Sequence, residues 1–258
     1  LRRGALEAGR MLLAMRRLAP RLDGRQQPAS CIGTAPGLHL EHVSAAHAGS
    51  QVAILHDISL HIGEGERVAL IGPSGAGKST LLAIAARELA PLSGTVAAPR
   101  ACLFTQKTEL FQDSLRDNLR LADPSASDAQ LWAALQAAGL DDEVRSLAGG
   151  LDTQLGEGGL GLSGGQARRL ALARLFLHES TLWLLDEATE ALNAQVAIDV
   201  LQRLRARSDG RSLLIATHLR REAALADRLL TLRDGRIVGD ARRGTAAFEA
   251  ALAGLRND

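Results

Sequence analysis

The sequence predicts an α/β domain around a mainly parallel sheet, and three observations carry that prediction. Short apolar runs of strand length alternate with longer runs of helical periodicity from residue 67 onward, as in successive strand–helix–strand units. A glycine-rich turn, Gly72-Pro-Ser-Gly-Ala-Gly-Lys-Ser79, separates one such strand from the helix-forming run behind it. The composition is that of an ordinary globular domain: 46% of the 258 residues are hydrophobic and 23% charged, for a net charge of +1. A chain of this length buries a sizeable core without disulfide or metal staples. The two cysteines, Cys31 and Cys102, are too few for a disulfide framework and form no C-x-x-C site. No apolar stretch reaches the ~18 residues of a membrane-spanning helix. The near-zero charge argues against a broad nucleic-acid footprint, so no nucleic-acid partner is expected.

Residues 1–22 place Leu6, Leu13, Met15 and Leu18 at helical spacing among arginines, and Pro20 can close that helix. An Arg-rich, acid-poor helix fits a mitochondrial presequence, a solvated amphipathic helix, or the cytoplasmic end of a helix leaving a membrane. Because the chain begins at Leu1, a piece of a longer protein is expected. Residues 23–36 mix Gly, Gln, Pro and Ser and read as a linker, leaving 37–258 as the folded domain. Ile58, Leu60 and Ile62 alternate with Ser59 and His61, which suits a half-buried strand. Arg67–Ile71 reads as an apolar strand and Thr80–Leu89 as the helix after the turn. Residues 113–150 are largely helical in pattern. Thr181–Leu185 and Arg211–Thr217 are further strand candidates, with a helix over 194–207 between them. His39, His42, His56, His61 and His178 have no cluster of partners at metal-ligand spacing and read as strand-face or surface residues.

The turn fits G-x-x-x-x-G-K-[ST], with a strand before it and a helix after it. Glycines let the backbone wrap a phosphate so that several N–H groups point inward, and the helix N-terminus adds favourable partial charge. Lys78 is suited to the β- and γ-phosphates and the Ser79 hydroxyl to Mg2+. Arginine occurs 28 times and lysine only twice, at Lys78 and Lys107. Lysine at this position therefore points to a cradle that takes a compact ammonium and not a planar guanidinium. Nucleotide binding follows, although the loop alone leaves kinases, GTPases, helicases and transport ATPases open.

Leu162-Ser-Gly-Gly-Gln166 chooses among them. With it the chain resembles the ATP-binding-cassette (ABC) family over about residues 37–240. The resemblance implies a P-loop NTPase core, a small antiparallel β subdomain, and an ABC-type helical subdomain over about 107–170. It also implies ATP and Mg2+ as cofactors, with nucleotide contacts from Gly72, Ser74, Gly75, Ala76, Gly77, Lys78, Ser79 and Thr80. In Thr181–Glu187, which resembles the family's Walker B strand, Asp186 is implied as a Mg2+ ligand and Glu187 as the group that polarises the attacking water. Gln106 falls at the Q-loop position, with a part in Mg2+ binding, and His218 at that of the switch histidine. Ser163, Gly164, Gly165 and Gln166 are implied to act on the ATP of a partner cassette in a head-to-tail dimer. The chemistry of the residues agrees: an Asp-Glu pair ending an apolar strand is expensive unless a cation or a positioned water uses it. Ser163 also suits a plain N-cap for a helix over Gln166–Leu177.

Two positions depart from the family pattern. His47 stands near the place of the adenine-stacking tyrosine and offers less area for stacking, or no role at all. Asn193, in Glu190-Ala-Leu-Asn193, replaces the usual D-loop aspartate, which bears on hydrolysis rate and on communication between paired sites. Gly156-Glu-Gly-Gly159 resembles the X-loop of type I exporters, and Leu110–Leu119 their segment after the Q-loop. Residues 1–22 then fit the end of a preceding transmembrane domain, placing the cassette on the cytoplasmic face of a bacterial inner membrane. Its partners are that membrane domain and a second cassette, identical or different. Overall likeness is greatest to the CydC-type subunit of the heterodimeric cysteine/glutathione exporter that supports cytochrome bd assembly. A soluble ABC protein switching by ATP-driven dimerisation, and a cassette that binds ATP without hydrolysis, are the alternatives.

Overall fold

The computed structural model describes residues 32–47, 50, 52–105, 109–159, 161–190 and 192–257. The helix expected over 1–22, the linker up to residue 31, and Gln106 lie outside the described residues. The described residues divide into two units. One draws on Gln106–Glu179 and Thr189–Arg207, the other on Pro20–Thr105, Ser180–Ala188 and Ser208–Asp258.

The second unit opens with strands β1 (Ile32–Gly33), β2 (Leu38–Ala46) and β3 (Ala53–Ile62), followed by β4 (Arg67–Ile71), helix α1 (Lys78–Ala85), β5 (Ser93–Ala97) and β6 (Ala101–Phe104). In β3, Ile58, Leu60 and Ile62 are buried and Asp57, Ser59 and His61 exposed, the alternation that the sequence predicts. β2 pairs antiparallel with β3 and with β5, giving a four-stranded sheet in the order β1-β5-β2-β3. β1 falls inside the expected linker: Ile32 and Gly33 pair in parallel with Val96 and Ala97. Helix α1 ends at Ala85, short of the expected Leu89. There Arg87 turns to φ 60 and its guanidinium donates to the Ala98 carbonyl, a partner eleven residues on.

The first unit is helical: α2 (Leu115–Arg120), α3 (Asp128–Ala138), α4 (Asp141–Ser146), α5 (Gly164–Leu177) and α6 (Ala194–Arg207). The helical pattern over 113–150 is cut into three by its own capping residues. Ser114 caps α2, Ser127 and Gln130 form a reciprocal capping box on α3, and Gly139 ends α3 at φ 69.

The second unit is completed by β7 (Leu182–Asp186), β8 (Ser212–Ala216), the short helix α7 (Arg220–Ala223), β9 (Arg228–Arg233), β10 (Arg236–Arg242) and α8 (Ala246–Ala253). With β4 and β6 these strands form a six-stranded sheet in the order β10-β9-β4-β8-β7-β6, parallel throughout except for β10. Val68 and Leu70 of β4 enter one hydrophobic cluster, with Leu81, Leu82 and Ile84 of α1. Ala69 and Ile71 enter another, with Phe248 and Leu252 of α8. Alternate residues of one strand thus serve cores on opposite faces, which is why the strand reads as an unbroken apolar run. β9 and β10 are joined by Asp234-Gly235, both at positive φ (49 and 69), the two-residue hairpin turn that Asp-Gly favours. This turn docks on β3, where His56 donates its N–H to the Gly235 carbonyl at 2.9 Å.

A Cβ on Gly235 would lie 1.9 Å from the Ile54 carbonyl oxygen. Gly235→Ala should therefore lower unfolding free energy by about 2–4 kcal/mol, through left-handed strain and a forced backbone shift. Asp234→Asn should stay within about 0.5 kcal/mol of wild type, because Asn-Gly makes the same turn. Chemical denaturation of the two variants checks both.

Candidate functional site

Strand register brings the phosphate loop, the acidic pair and the histidine to one edge of the sheet. Ala216 of β8 lies opposite Leu70 of β4 and opposite Asp186 of β7. One step beyond that row, three parallel strands end together, at the carboxyl edge where open α/β sheets bind ligands. Gly72 leaves β4 at φ 150, and a Cβ there would meet the Leu232 carbonyl oxygen at 2.0 Å, so only glycine lets the loop pass. The loop ends at Gly77, the N-cap of α1, in the left-handed conformation. No side chain caps α1 and no acidic residue lies in its first turn. Its leading N–H groups and the positive end of its dipole are thus available to an anion.

Lys78 Nζ donates to the carbonyls of Gly72 (2.9 Å) and Pro73 (3.0 Å), which folds the loop around the ammonium. Burial lowers the Lys78 pKa from its ordinary 10.5, and the charges of Glu187 and then Asp186 oppose that shift. Of the other loop residues, Ser74, Gly75 and Ser79 are exposed, Ala76 and Thr80 buried. The Ser79 hydroxyl and the half-buried Asp186 carboxylate are hard oxygen donors, the kind that Mg2+ takes in small number beside substrate phosphates. The residues present fit that ion.

Glu187 follows β7 at φ 49. A non-glycine residue in this region costs about 1–3 kcal/mol and persists only where its surroundings over-determine it. Here its N–H donates to the Ala216 carbonyl at 2.9 Å, and its Oε1 lies 2.9 Å from His218 Nδ1. Both side chains are largely shielded, at 15% and 27% exposure. His218 is reached through Thr217, whose N–H is held by the Leu70 carbonyl at 3.1 Å and whose hydroxyl accepts the Leu219 N–H at 3.0 Å. The strained turn and the threonine anchor belong to the site, and sequence reading missed both. The histidine just after a strand was the available signal for the anchor, while nothing local marks the strain.

In the helical unit, Ser163 caps α5, the helix expected to start near Gln166. Its hydroxyl accepts the Gln166 N–H (3.2 Å) and Gln166 Oε1 accepts the Ser163 N–H (2.9 Å). Ser163 and Gly164 are exposed, Gly165 and Gln166 half-buried. Farther along α5, Arg174 donates to the carbonyls of Glu109 and Asn118 and to the Asn118 side chain. Desolvation pushes its pKa down to about 10, with Glu109 opposing. Asn193 Oδ1 accepts the Val196 N–H at 2.9 Å. At α6 the amide thus caps a helix as aspartate would, which gives the departure a local structural role. His47 is exposed at the end of β2, its carbonyl accepting the Ser50 N–H at 2.9 Å.

A glycine-rich strand-to-helix loop at the carboxyl edge of a mainly parallel sheet, with an acidic pair at the end of the next strand but one, defines a P-loop nucleotide-binding domain. Comparison with known proteins narrows this class. The ABC transporter family model matches residues 55–190. A Staphylococcus aureus protein provisionally named a multidrug export ATP-binding/permease protein is 34% identical over 215 residues, 78% of this chain. An ATP-dependent lipid A-core flippase of Ralstonia nicotianae is 36% identical over 218 residues, again 78% of the chain. The chain spans 37% of the length of each relative. Among solved structures, a bacterial Atm1-family ABC exporter with ATP bound is similar over 96% of this chain and 48% of its own, with TM-score 0.78 and 28% identity. The chain belongs to the ABC transporter family and has its mixed α/β ATPase fold. Among the described residues no helix is long and apolar enough to cross a membrane.

Ser163→Ala should destabilise the chain by about 1 kcal/mol through loss of the cap, whereas Ser163→Asp, which still caps, should remain within about 0.5 kcal/mol of wild type. Thermal unfolding of the two variants separates the helix-capping role of this serine from any role toward nucleotide.

Proposed function

We propose that the chain is the nucleotide-binding domain, within 37–258, of an ABC exporter half-transporter that hydrolyses MgATP to drive export. The observation that carries the reading is the Glu187–His218 contact at the strand edge beside the phosphate loop. The names of the relatives support the export direction. Lys78 and the amides from Ser74 to Thr80 bind the β- and γ-phosphates, and His47 stacks on the adenine. Ser79 and Asp186, with Gln106, would hold Mg2+, which when bound would supply positive charge against the phosphates. Glu187 accepts a hydrogen bond from the attacking water and orients it in line with the γ-phosphorus. As the water oxygen bonds to phosphorus and the bond to ADP breaks, the water's proton passes toward that carboxylate. His218 holds the carboxylate at Oε1 and presents its other ring nitrogen toward the phosphate.

Ser163, Gly164, Gly165 and Gln166 at the N-terminus of α5 face the γ-phosphate of a partner cassette, so two domains close on ATP and part after hydrolysis. ATP favours the closed state and shifts that equilibrium. Residues 1–36 connect the cassette to a preceding membrane domain, and the cassette works at the cytoplasmic face of a bacterial inner membrane. A cysteine/glutathione cargo, with a distinct partner cassette, is the narrower proposal; it rests on the runs Ser114–Leu119 and Leu155–Gly165.

Glu187→Gln should lower the rate of phosphate release by about 10²–10³-fold while leaving MgATP affinity within a few-fold. Light scattering on that variant should show an ATP-dependent dimer if two copies suffice, or a monomer that binds ATP if the partner is distinct. An equal rate in wild type and Glu187→Gln would overturn the hydrolysis reading.

A further inference from the structure

The backbone around His218 is held from two directions, and the second comes from a segment distant in sequence. Thr217 is tied to β4 through the Leu70 carbonyl. Beyond it, Leu219 forms a parallel bridge with Arg256. In that bridge the Arg256 N–H donates to the His218 carbonyl at 3.2 Å, and the Arg220 N–H donates to the Arg256 carbonyl at 2.8 Å. The segment that supplies Arg256 is anchored. α8, capped by Thr245, buries Phe248 fully and Leu252 nearly so against Ala69, Ile71, Ala223 and Leu229, and Leu255 packs on the same cluster. The Leu219 side chain, between the two bridging bonds, is itself buried at 3% exposure.

We infer that Leu255–Asn257 is a positioning strap for His218, setting through the histidine's own carbonyl how its ring meets Glu187. The contact is made by main chain, so the identity of the Arg256 side chain is immaterial to it. The strap rests on the proposed role of His218 in hydrolysis and adds to it. Release of the bridge leaves the phosphate loop and Asp186 in place, so nucleotide affinity is preserved while Glu187 and His218 lose their fixed relation. The cost therefore falls on turnover and not on binding.

Proline removes one bridging donor at a time. Arg220 is the first residue of α7, where proline is well tolerated, and Leu219 before it is already extended at φ −98, ψ 129, as a residue preceding proline must be. Arg220→Pro deletes the bond to the Arg256 carbonyl; Arg220→Ala keeps it. In Arg220→Pro, kcat for ATP should fall about fivefold or more with KM within about twofold of Arg220→Ala, and exchange of the Arg256 amide should speed by about tenfold. Arg256→Pro against Arg256→Ala should give the same turnover contrast by deleting the other bond, and carries the comparison if Arg220→Pro does not fold. Equal kcat in the proline and alanine variants overturns the strap, as does a rise in KM with kcat unchanged or an Arg256 amide whose exchange does not change. A wild-type chain that binds MgATP without turnover would instead overturn the hydrolysis reading, and the positioning role would fall with it; the wild-type arm tells the two failures apart.

Discussion

Burial of β4 on both faces is the constraint from which the rest of the second unit follows. Val68, Ala69, Leu70 and Ile71 are each at most 4% exposed, and they divide between two hydrophobic clusters. A strand in that position must also satisfy its backbone on both edges, because an unpaired buried amide costs about as much as a lost hydrogen bond. β8 and β9 supply those partners in parallel. Parallel pairing leaves the carboxyl ends of β4, β8 and β7 side by side, so the groups that follow these strands meet whether or not they are near in sequence. Gly72, Glu187 and His218 converge because the core requires this strand order, and the chemistry inherits the geometry.

At that edge the chain carries a conformational cost and a desolvation cost side by side. Glu187 is held left-handed by its N–H to Ala216 and by His218 at its carboxylate. Lys78 is desolvated, and its ammonium is satisfied by two carbonyls of its own loop. Each arrangement opposes folding locally and is tolerated because the sheet beneath is rigid. The carboxylates of Glu187 and Asp186 both oppose the effect of burial on that ammonium. The loop is thus organised around its own ammonium.

The legible parts of the fold were those in which the physics is local. β4, β7 and β8 could be read because burial on both faces writes an apolar run directly into the sequence, and α5 because Ser163 and Gln166 form its capping box within four residues. β9 and β10 are hard to read from periodicity, although Asp234-Gly235 is a strong hairpin signal. Their exposed positions carry Arg233, Arg236 and Arg242, which dilute the apolar alternation. α1 ends before its helical pattern does, and there Arg87 turns left-handed and reaches the Ala98 carbonyl, a partner outside any helical window. β1 was hidden for the opposite reason: two residues carry no periodicity, and only the β5 edge gives them a place.

The site divides along the same line. Residue types at motif spacing could be read one by one, since the phosphate loop, the acidic pair and the serine cap each have a local physical signature. What turns them into a site is contributed by positions with no signature of their own. Ala216 meets Glu187 only by register, Thr217 reaches β4 through its amide, and Arg256 acts through main-chain atoms that every residue except proline possesses in full. A backbone contact of this kind leaves no constraint on side-chain type at either end. Motif reading is therefore blind to it, however well the motif itself is matched. His218 illustrates the consequence: its place after a strand identifies the residue, while the direction in which its ring points is decided by Leu70 on one side and by the segment after α8 on the other.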